Sequence, residues 1–503
     1  VDVKKRKYLL IILLTILAIL LVASPVIAAT ISAPVSIVNS ITTGQVPLLG
    51  STYGTSPEPN QNTFYAEGRF WLFYVDSVSS LCYASFIPGS SLSTEYRTVE
   101  FGTGIYTPEF SIFYDKSLNT VHYARHVFPG TGHSVAYRMG TPNANGTITW
   151  AAAEQTVLLT PGDLATFRTT IAVDKDHNPW VAWIDTDGVD AEGIVYIEAS
   201  STHNGTWTTV VAASDTIDIA DCHAWFLQLC PIGATPGNLM EVLWTLEDQT
   251  GGAHDGEVAL LARRYSTVGG WTATETVADY AEMAALTPWA FDSYDVGTTI
   301  WCVYTQAGTG DLCVRIRTAA QTWATADAAE MILDVAVLVY IPTLSGYRAN
   351  GVGEDLLLIY AQDTTALGYL THTQGADFDD WNATQHIWTV ETPLDNIITR
   401  HNAAYNYGSP VSFVWQVTTD DGVNPEYDTV YYWWIDGGTL GGYTPTGIVA
   451  GNNFMRALLP LIMAIGIILV AIGGWRGNLW LAAIGIIVGV IGFVFIQTLV
   501  GIL

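Results

Sequence analysis

The chain has 503 residues, 47 acidic against 19 basic, giving a formal net charge of −28 at pH 7, and half of its residues are hydrophobic. A surface that negative disfavours nucleic acid and anionic lipid as electrostatic partners and favours cations, basic proteins or plain hydration. The length allows more than one ordinary domain, yet an array of repeated units could use most of it as a single body.

The high apolar share comes largely from the two ends. Residues 1–29 read as a secretory signal peptide or an N-terminal membrane anchor. Lys4, Lys5, Arg6 and Lys7 precede an apolar run from Leu9, and Val26 and Ala28 are placed for cleavage before Ala29. Either alternative exports the chain beyond residue 29, and five cysteines in an exported chain invite disulfides.

Residues 30–437 read as a β-propeller ectodomain. A strand within 32–44 comes first and needs a partner. After it come copies of one pattern: Asn62–Phe101, Pro108–Leu158, Thr166–Val211, Ala224–Val277, Pro288–Leu333, Val337–Val390 and a shorter last copy, Asn402–Gly437. The third copy shows the pattern best. Thr169–Val173 is succeeded by the turn DKDHN, an aromatic strand WVAWID from Trp180, a turn at Asp187-Gly188, the alternating Ile194–Ala199 and the turn Asn204-Gly205 before a strand Thr206–Val211. A tryptophan recurs after the last turn of five copies, at Trp150, Trp207, Trp271, Trp323 and Trp381. Repetition at a period of roughly 40 to 65 residues is the mark of stacked supersecondary units. The last copy has three strands and lacks a fourth, which the strand near Ile37 can supply, closing the ring without an open edge. The expected fold is therefore all-β, a seven-bladed β-propeller, with six blades as the alternative.

A Gly-rich linker, 438–454, leads to residues 455–503, where the uncharged runs Ala457–Ile472 and Leu479–Leu503 read as a transmembrane helical hairpin. The basic N-terminal cluster and Arg476 in the hairpin turn place the propeller outside. Gly485 and Gly489 have a small-xxx-small spacing that would admit a second helix, hence a homo-oligomer.

Several residues could carry chemistry. Cys302 and Cys313 flank the turn QAGTGD and are expected to bridge, Cys222 and Cys230 could close a short loop, and Cys82 is left over as a small buried hydrophobe. Asp174, Asp176 and Asn178 have a D-x-D-x-N spacing that can wrap calcium, the one cofactor the sequence suggests, and that equally makes an ordinary strand turn. Asn145, Asn204 and Asn382 head glycosylation sequons. A propeller builds its sites on the loops entering each innermost strand, and here those offer Glu109, Arg168, Asp221, His223, Arg400 and His401. Two acids, two arginines and two imidazoles can bind a charged sugar or move protons, although a hydrated channel mouth needs no function at all.

The run AVDKDHNPWVAWID, the alternating IVYIEAS and the GTW beyond it resemble the sialidase-like propellers of the BNR, or Asp-box, type found in secreted and surface proteins. That family's Asp box sets serine, aspartate and glycine before a tryptophan; SSTHNGTW, Ser200–Trp207, lacks the aspartate and has its glycine one place late. The resemblance implies a sialidase site of three arginines with a tyrosine nucleophile and a glutamate, of which Phe167-Arg168 is the one echo. The leading expectation is a membrane-anchored extracellular propeller on a prokaryotic or viral surface, recognising a glycan or a protein as an adhesin, envelope or virion component. A sialidase-type glycoside hydrolase and a structural surface-layer subunit are the alternatives. Recognition asks only for converging aromatic and polar groups, whereas hydrolysis also needs a nucleophile and acid in near-attack geometry.

Overall fold

The computed structural model describes most of residues 62–381, together with the backbone of five further strands: Val35–Asn39, Trp388–Thr389, Asn396–Ala403, Val411–Thr419 and Tyr427–Ile435. The chain divides into two units, and every described strand lies in one of them, Ala33–Ile435. The other comprises Val1–Ser32 with Asp436–Leu503 and lies outside the described residues, as do the expected signal or anchor, the Gly-rich linker and the C-terminal hairpin. Among the described residues no helix is long and apolar enough to cross a membrane.

Strand β1 (Val35–Asn39) precedes six sheets made of consecutive strands. The first holds β2 (Thr63–Ala66), β3 (Arg69–Val75), β4 (Leu81–Phe86) and β5 (Glu95–Glu100). The second holds β6 (Phe110–Asp115), β7 (Thr120–Val127), β8 (His133–Pro142), β9 (Ile148–Trp150) and β10 (Gln155–Thr160). The third has β11 (Ala165–Val173), β12 (Pro179–Thr186), β13 (Gly193–Ala199) and β14 (Asp215–Ile219). The fourth has β15 (Cys222–Ile232), β16 (Leu239–Asp248), β17 (Val258–Ser266), β18 (Gly270–Trp271) and β19 (Glu275–Ala278). Next come β20 (Phe291–Val296), β21 (Thr299–Thr305), β22 (Leu312–Thr318) and β23 (Glu330–Leu333), then β24 (Tyr340–Tyr347), β25 (Asp355–Ala361), β26 (Ala366–His372) and β27 (Trp388–Thr389). A further sheet joins β28 (Asn396–Ala403), β29 (Val411–Thr419) and β30 (Tyr427–Ile435) to β1, with Val35 opposite Tyr432. The strand near Ile37 thus pairs where the three-stranded last copy needed it, because an unpartnered edge leaves a row of backbone donors and acceptors unsatisfied.

Every pairing is antiparallel and consecutive strands are neighbours, except that β10 returns to β8 past β9, β19 returns to β17 past β18, and β1 joins β30. First strands of successive sheets pack on one another, β6 on β11, β11 on β15, β15 on β20, β20 on β24 and β24 on β28, and β28 with β29 packs on β2. Phe64 of β2 stacks on Tyr114 of β6 with ring centroids 4.7 Å apart, which returns the series to its start. Strands read as continuous apolar runs because both faces of each sheet are covered: Trp71, Leu72, Phe73 and Tyr74 of β3 are all fully buried.

The recurring tryptophans turn out to be wedges between sheets. Trp150 meets Phe73 edge-on at 6.5 Å, Trp207 meets Tyr137 at 5.1 Å, and Trp271 meets Trp180 at 6.3 Å. Trp323 donates Nε1–H to Glu241 at 2.7 Å, and Trp381 meets Trp301 edge-on at 6.3 Å. Each partner belongs to the preceding sheet. Trp207 therefore does not open a strand: the fourth strand of that copy is β14, Asp215–Ile219, further along the chain than the expected Thr206–Val211. Gly205 precedes this wedge at φ +82°, and a Cβ there would lie 2.4 Å from the Tyr137 ring, so only glycine lets the turn close.

Neither expected disulfide forms. Cys302 and Cys313 are buried free thiols, and the register sets Cys302 opposite Arg315 and Cys313 opposite Tyr304. The two are thus diagonal neighbours, roughly 7–8 Å apart in such a ladder, where a bridge needs Cβ atoms about 4 Å apart. The turn centre explains the error: Gln306 N donates to Asp311 O, so the hairpin folds one residue later than the spacing of the cysteines implied. Cys222 and Cys230 occupy the same strand, β15, and eight residues at about 3.3 Å each hold them roughly 26 Å apart. Cys82 is a buried thiol outside any disulfide, as a small hydrophobe would be.

Candidate functional site

One level of the first strands is polar in every sheet. The residue four places before the end of each is Asn62, Ser111, Thr169, Gln228, Asp292, Thr343 and Thr399 in turn. The first six are all at most 5% exposed, while Thr399 is described by its backbone alone. A polar side chain buried this deeply needs a hydrogen-bond partner. Around Asp292 the partners come from three sheets. Gln228 of β15 donates Nε2–H to Asp292 Oδ1 at 2.5 Å, Leu344 N of β24 donates to Oδ2 at 2.7 Å, and Ser293 N donates to Oδ1 at 2.8 Å. Gln228 Oε1 accepts in return from Ser293 N and Oγ, at 2.9 and 2.8 Å. Burial pushes the Asp292 carboxyl up to about 7, and the hydrogen bonds from Leu344, Gln228 and Ser293 work against that rise.

At or just ahead of this level four of the first strands bulge. The register slips between Phe167 and Thr170 in β11, Ala224 and Leu227 in β15, Tyr340 and Pro342 in β24, and Ile398 and Arg400 in β28. Bulges re-aim side chains and gather beside functional sites. Arg168 sits in the β11 bulge at φ +60°, a left-handed conformation that disfavours a side chain with a Cβ. It is 9% exposed, and its guanidinium lies 5.1 Å from the ring centre of Phe226, which occupies the β15 bulge. Two neighbouring bulges thus meet as a cation over an aromatic face.

Of the six site residues expected from sequence, Arg168 is the one whose side chain is described. Glu109 and Asp221 lie outside the described residues. His223 is placed by backbone in β15 opposite Glu247, and Arg400 and His401 in β28 opposite Gln416 and Trp415. Gln228, Asp292 and Phe226 were not expected. Aligning the seven copies on the ends of their first strands would have found the first two, because the polar position then repeats at one offset.

The calcium spacing works as a turn. Asp174 Oδ1 accepts from Asp176 N and Asn178 N, both at 2.9 Å, and Oδ2 accepts from Trp180 Nε1 at 3.0 Å. Among the described residues no group of three or more His, Cys, Asp or Glu side chains is arranged to hold a metal ion. Asn145 and Asn204 are exposed at their turns, with Asn145 Oδ1 accepting from Thr147 N and Oγ1, and Asn382 lies outside the described residues.

Sheet order and strand packing define the class: an all-β propeller. No family model and no curated protein matches the chain. Solved structures do match. The polysaccharide lyase Uly1 is 9% identical, with 81% of this chain and 99% of that one covered at a TM-score of 0.47. AofleA from Arthrobotrys oligospora is 10% identical, with 67% and 88% covered at 0.38. An α-L-arabinanase from Penicillium chrysogenum, complexed with arabinobiose, is 9% identical, with 63% and 90% covered at 0.39. These likenesses concern the fold alone, lend no residue a role, and do not single out the sialidase type.

Proposed function

We propose that this propeller acts on glycans at the bulged ends of its first strands, as a glycan-processing enzyme of the hydrolase kind rather than as a membrane-anchored adhesin, with an acidic sugar held by Arg168. The observation that carries the proposal is Arg168 itself: a buried arginine in a left-handed bulge, laid on Phe226. A conformation costing about 1–3 kcal/mol persists where the surroundings impose it, and such strain gathers at ligand sites. The guanidinium is suited to a carboxylate or sulfate because its fork of donors matches two oxygens at once. Enclosure favours processing over adhesion, since cleavage requires a sugar held in one orientation away from bulk water, and adhesion does not. In this proposal the six sheets of consecutive strands are the body of the ring, and the sheet of β1 with β28–β30 is its seventh, closing blade. Placement outside a cell rests on the apolar segments 1–29 and 455–503, and an acidic coat around a buried cation would select substrate by fit rather than by long-range attraction.

The test is binding and product release by the full chain against polyuronates, sialylated oligosaccharides and neutral arabinan. We expect affinity for an acidic glycan, weakened at least 10-fold by Arg168→Ala and partly kept by Arg168→Lys. Binding of neutral and acidic glycans alike, indifferent to Arg168→Ala, would overturn the acidic-sugar reading. Binding without any release of product would return the protein to the adhesin class.

A further inference from the structure

Asp292 is not close to being a surface carboxyl, and its hydrogen bonds come from uncharged groups. They are donated by an amide side chain of the sheet before it, a backbone amide of the sheet after it and one of its own strand. Gln228, which it holds, stands two residues beyond Phe226 in β15, and Phe226 is the ring beneath Arg168. From the other side, Phe226 N donates to Thr245 Oγ1 of β16 at 3.0 Å, so the bulged strand is held both from the next sheet and from within its own. Phe226 and Phe291, the neighbour of Asp292, share one apolar cluster.

We infer that Asp292 is a positioning residue for the glycan site, acting through Gln228 on the β15 bulge that carries Phe226 beneath Arg168. The inference rests on the function proposed above. Asp292 does not touch the sugar; it sets where the aromatic floor of the arginine stands. As a carboxylate it accepts all three N–H bonds, whereas as a neutral acid one oxygen carries a proton and competes with a donor that cannot move away. With the carboxyl pushed up to about 7 by burial, both forms are populated near neutrality. From β21 the residue opposite it is Val303, and the nearby Cys302 thiol, opposite Ser293, is kept protonated by burial well above its ordinary value, so it adds no competing charge. From β15 it meets the uncharged Gln228, and from β24 a backbone amide.

The experiment is glycan affinity of the full chain as a function of pH, for wild type, Asp292→Asn, Asp292→Glu and Gln228→Met. Wild type should bind more tightly as pH rises through about 7, with a single-proton limb. Asp292→Asn should lose that limb and bind about 10-fold more weakly above it, the size of one hydrogen bond to a charged group. Asp292→Glu should keep a limb, displaced, and Gln228→Met should weaken binding while the carboxyl remains. Amide exchange in the β15 segment, measured by mass spectrometry, should rise in Asp292→Asn and Gln228→Met and stay at wild-type level in Arg168→Ala. If wild type binds acidic glycans through Arg168 while Asp292→Asn and Gln228→Met keep its pH profile and β15 exchange, the positioning role is wrong and the proposed function stands. If wild type binds no glycan, the proposed function falls and this inference falls with it. Should Asp292→Asn fail to fold, the wild-type pH limb and Gln228→Met decide the matter, and the absence of both effects overturns the inference.

Discussion

His177, in the turn between β11 and β12, donates Nδ1–H to Asp115 Oδ2 at the end of β6, 2.6 Å away, so a turn of one sheet grips the first strand of the sheet before it. A carboxylate can only accept, so Nδ1 carries the proton of this bond. Ser117 fills the other oxygen, with N at 2.9 Å and Oγ at 2.7 Å. Asp174 makes the same turn to a different end. Both aspartates brace the turn after a first strand, but Asp174 spends its second oxygen on Trp180 of its own sheet, and Asp115 spends it on the neighbour.

Asp115→Asn should therefore loosen the junction of two sheets. Burial alone would raise the Asp115 carboxyl; the hydrogen bonds of Ser117 and the nearby His177 outweigh it and hold the group below its ordinary 3.8. A depressed value in the folded state gives stability that is present above about pH 4 and lost as pH falls through the folded value. We expect Asp115→Asn to cost about 2 kcal/mol at pH 7, typical of a hydrogen bond to a charged group, and to flatten the loss of stability below pH 4. Urea unfolding at pH 7 and at pH 3 measures both, and equal losses at the two values would exclude the carboxylate as the cause.

Glu241 is the centre of a second junction, between the fourth and fifth sheets. Fully buried, it accepts from Arg264 Nε, Arg317 Nη1 and Trp323 Nε1, each at 2.7 Å. Arg317 also reaches Glu275 at 3.1 Å, and Glu275 accepts from Trp323 N at 2.6 Å. Removing one partner of a buried ion cluster strands the others, so Glu241→Ala should cost about 4 kcal/mol. The midpoint of denaturant unfolding reads this directly; a cost under about 1 kcal/mol would show that water reaches the two guanidiniums and replaces the carboxylate.

Asp292 should act on stability in the sense opposite to Asp115. Its folded value is raised from 3.8 to about 7, so its contribution is full below about pH 4 and is lost as pH rises through 7. The stability of wild type relative to Asp292→Asn should therefore shrink between pH 5 and pH 8. Paired thermal melts across that range test it, and a gap that widens with pH would mean that the three N–H donors hold the carboxyl ionised.

The thiols provide a chemical check. Cys82, Cys230, Cys302 and Cys313 are buried thiols outside any disulfide, and burial pushes Cys313 up to about 11. A thiol-reactive reagent should leave these four unmodified in the native protein and modify all of them in guanidinium without reductant, by peptide mass. Recovery of a Cys302–Cys313 bridge under those conditions would contradict the register of β21 and β22.

Much of the fold comes from local chemistry alone. Polar turns at DKDHN and Asn204-Gly205, aromatic strands such as WVAWID, and a tryptophan repeating through five copies are enough to define antiparallel sheets of about four strands, because turn residues and side-chain alternation act over a few neighbouring positions. The missing fourth strand of the last copy was legible for the same reason, by counting, and β1 supplies it. Arg168 was legible as a charge at the head of a first strand.

What only the tertiary structure decided are relations across sheets and shifts of one residue. A hairpin centre displaced by one position turned the expected Cys302–Cys313 bridge into a diagonal pair, since cross-strand partners change by two for each residue the turn moves. The five tryptophans are wedges against the preceding sheet, and Asp292, one acid among 47 acidic residues, becomes distinctive through donors 64 residues before and 52 residues after it in the chain. Sequence spacing carries the period of the repeat. It does not carry the angle at which one sheet meets the next, and that angle determines which buried polar groups find each other and which carboxyl is left near neutrality.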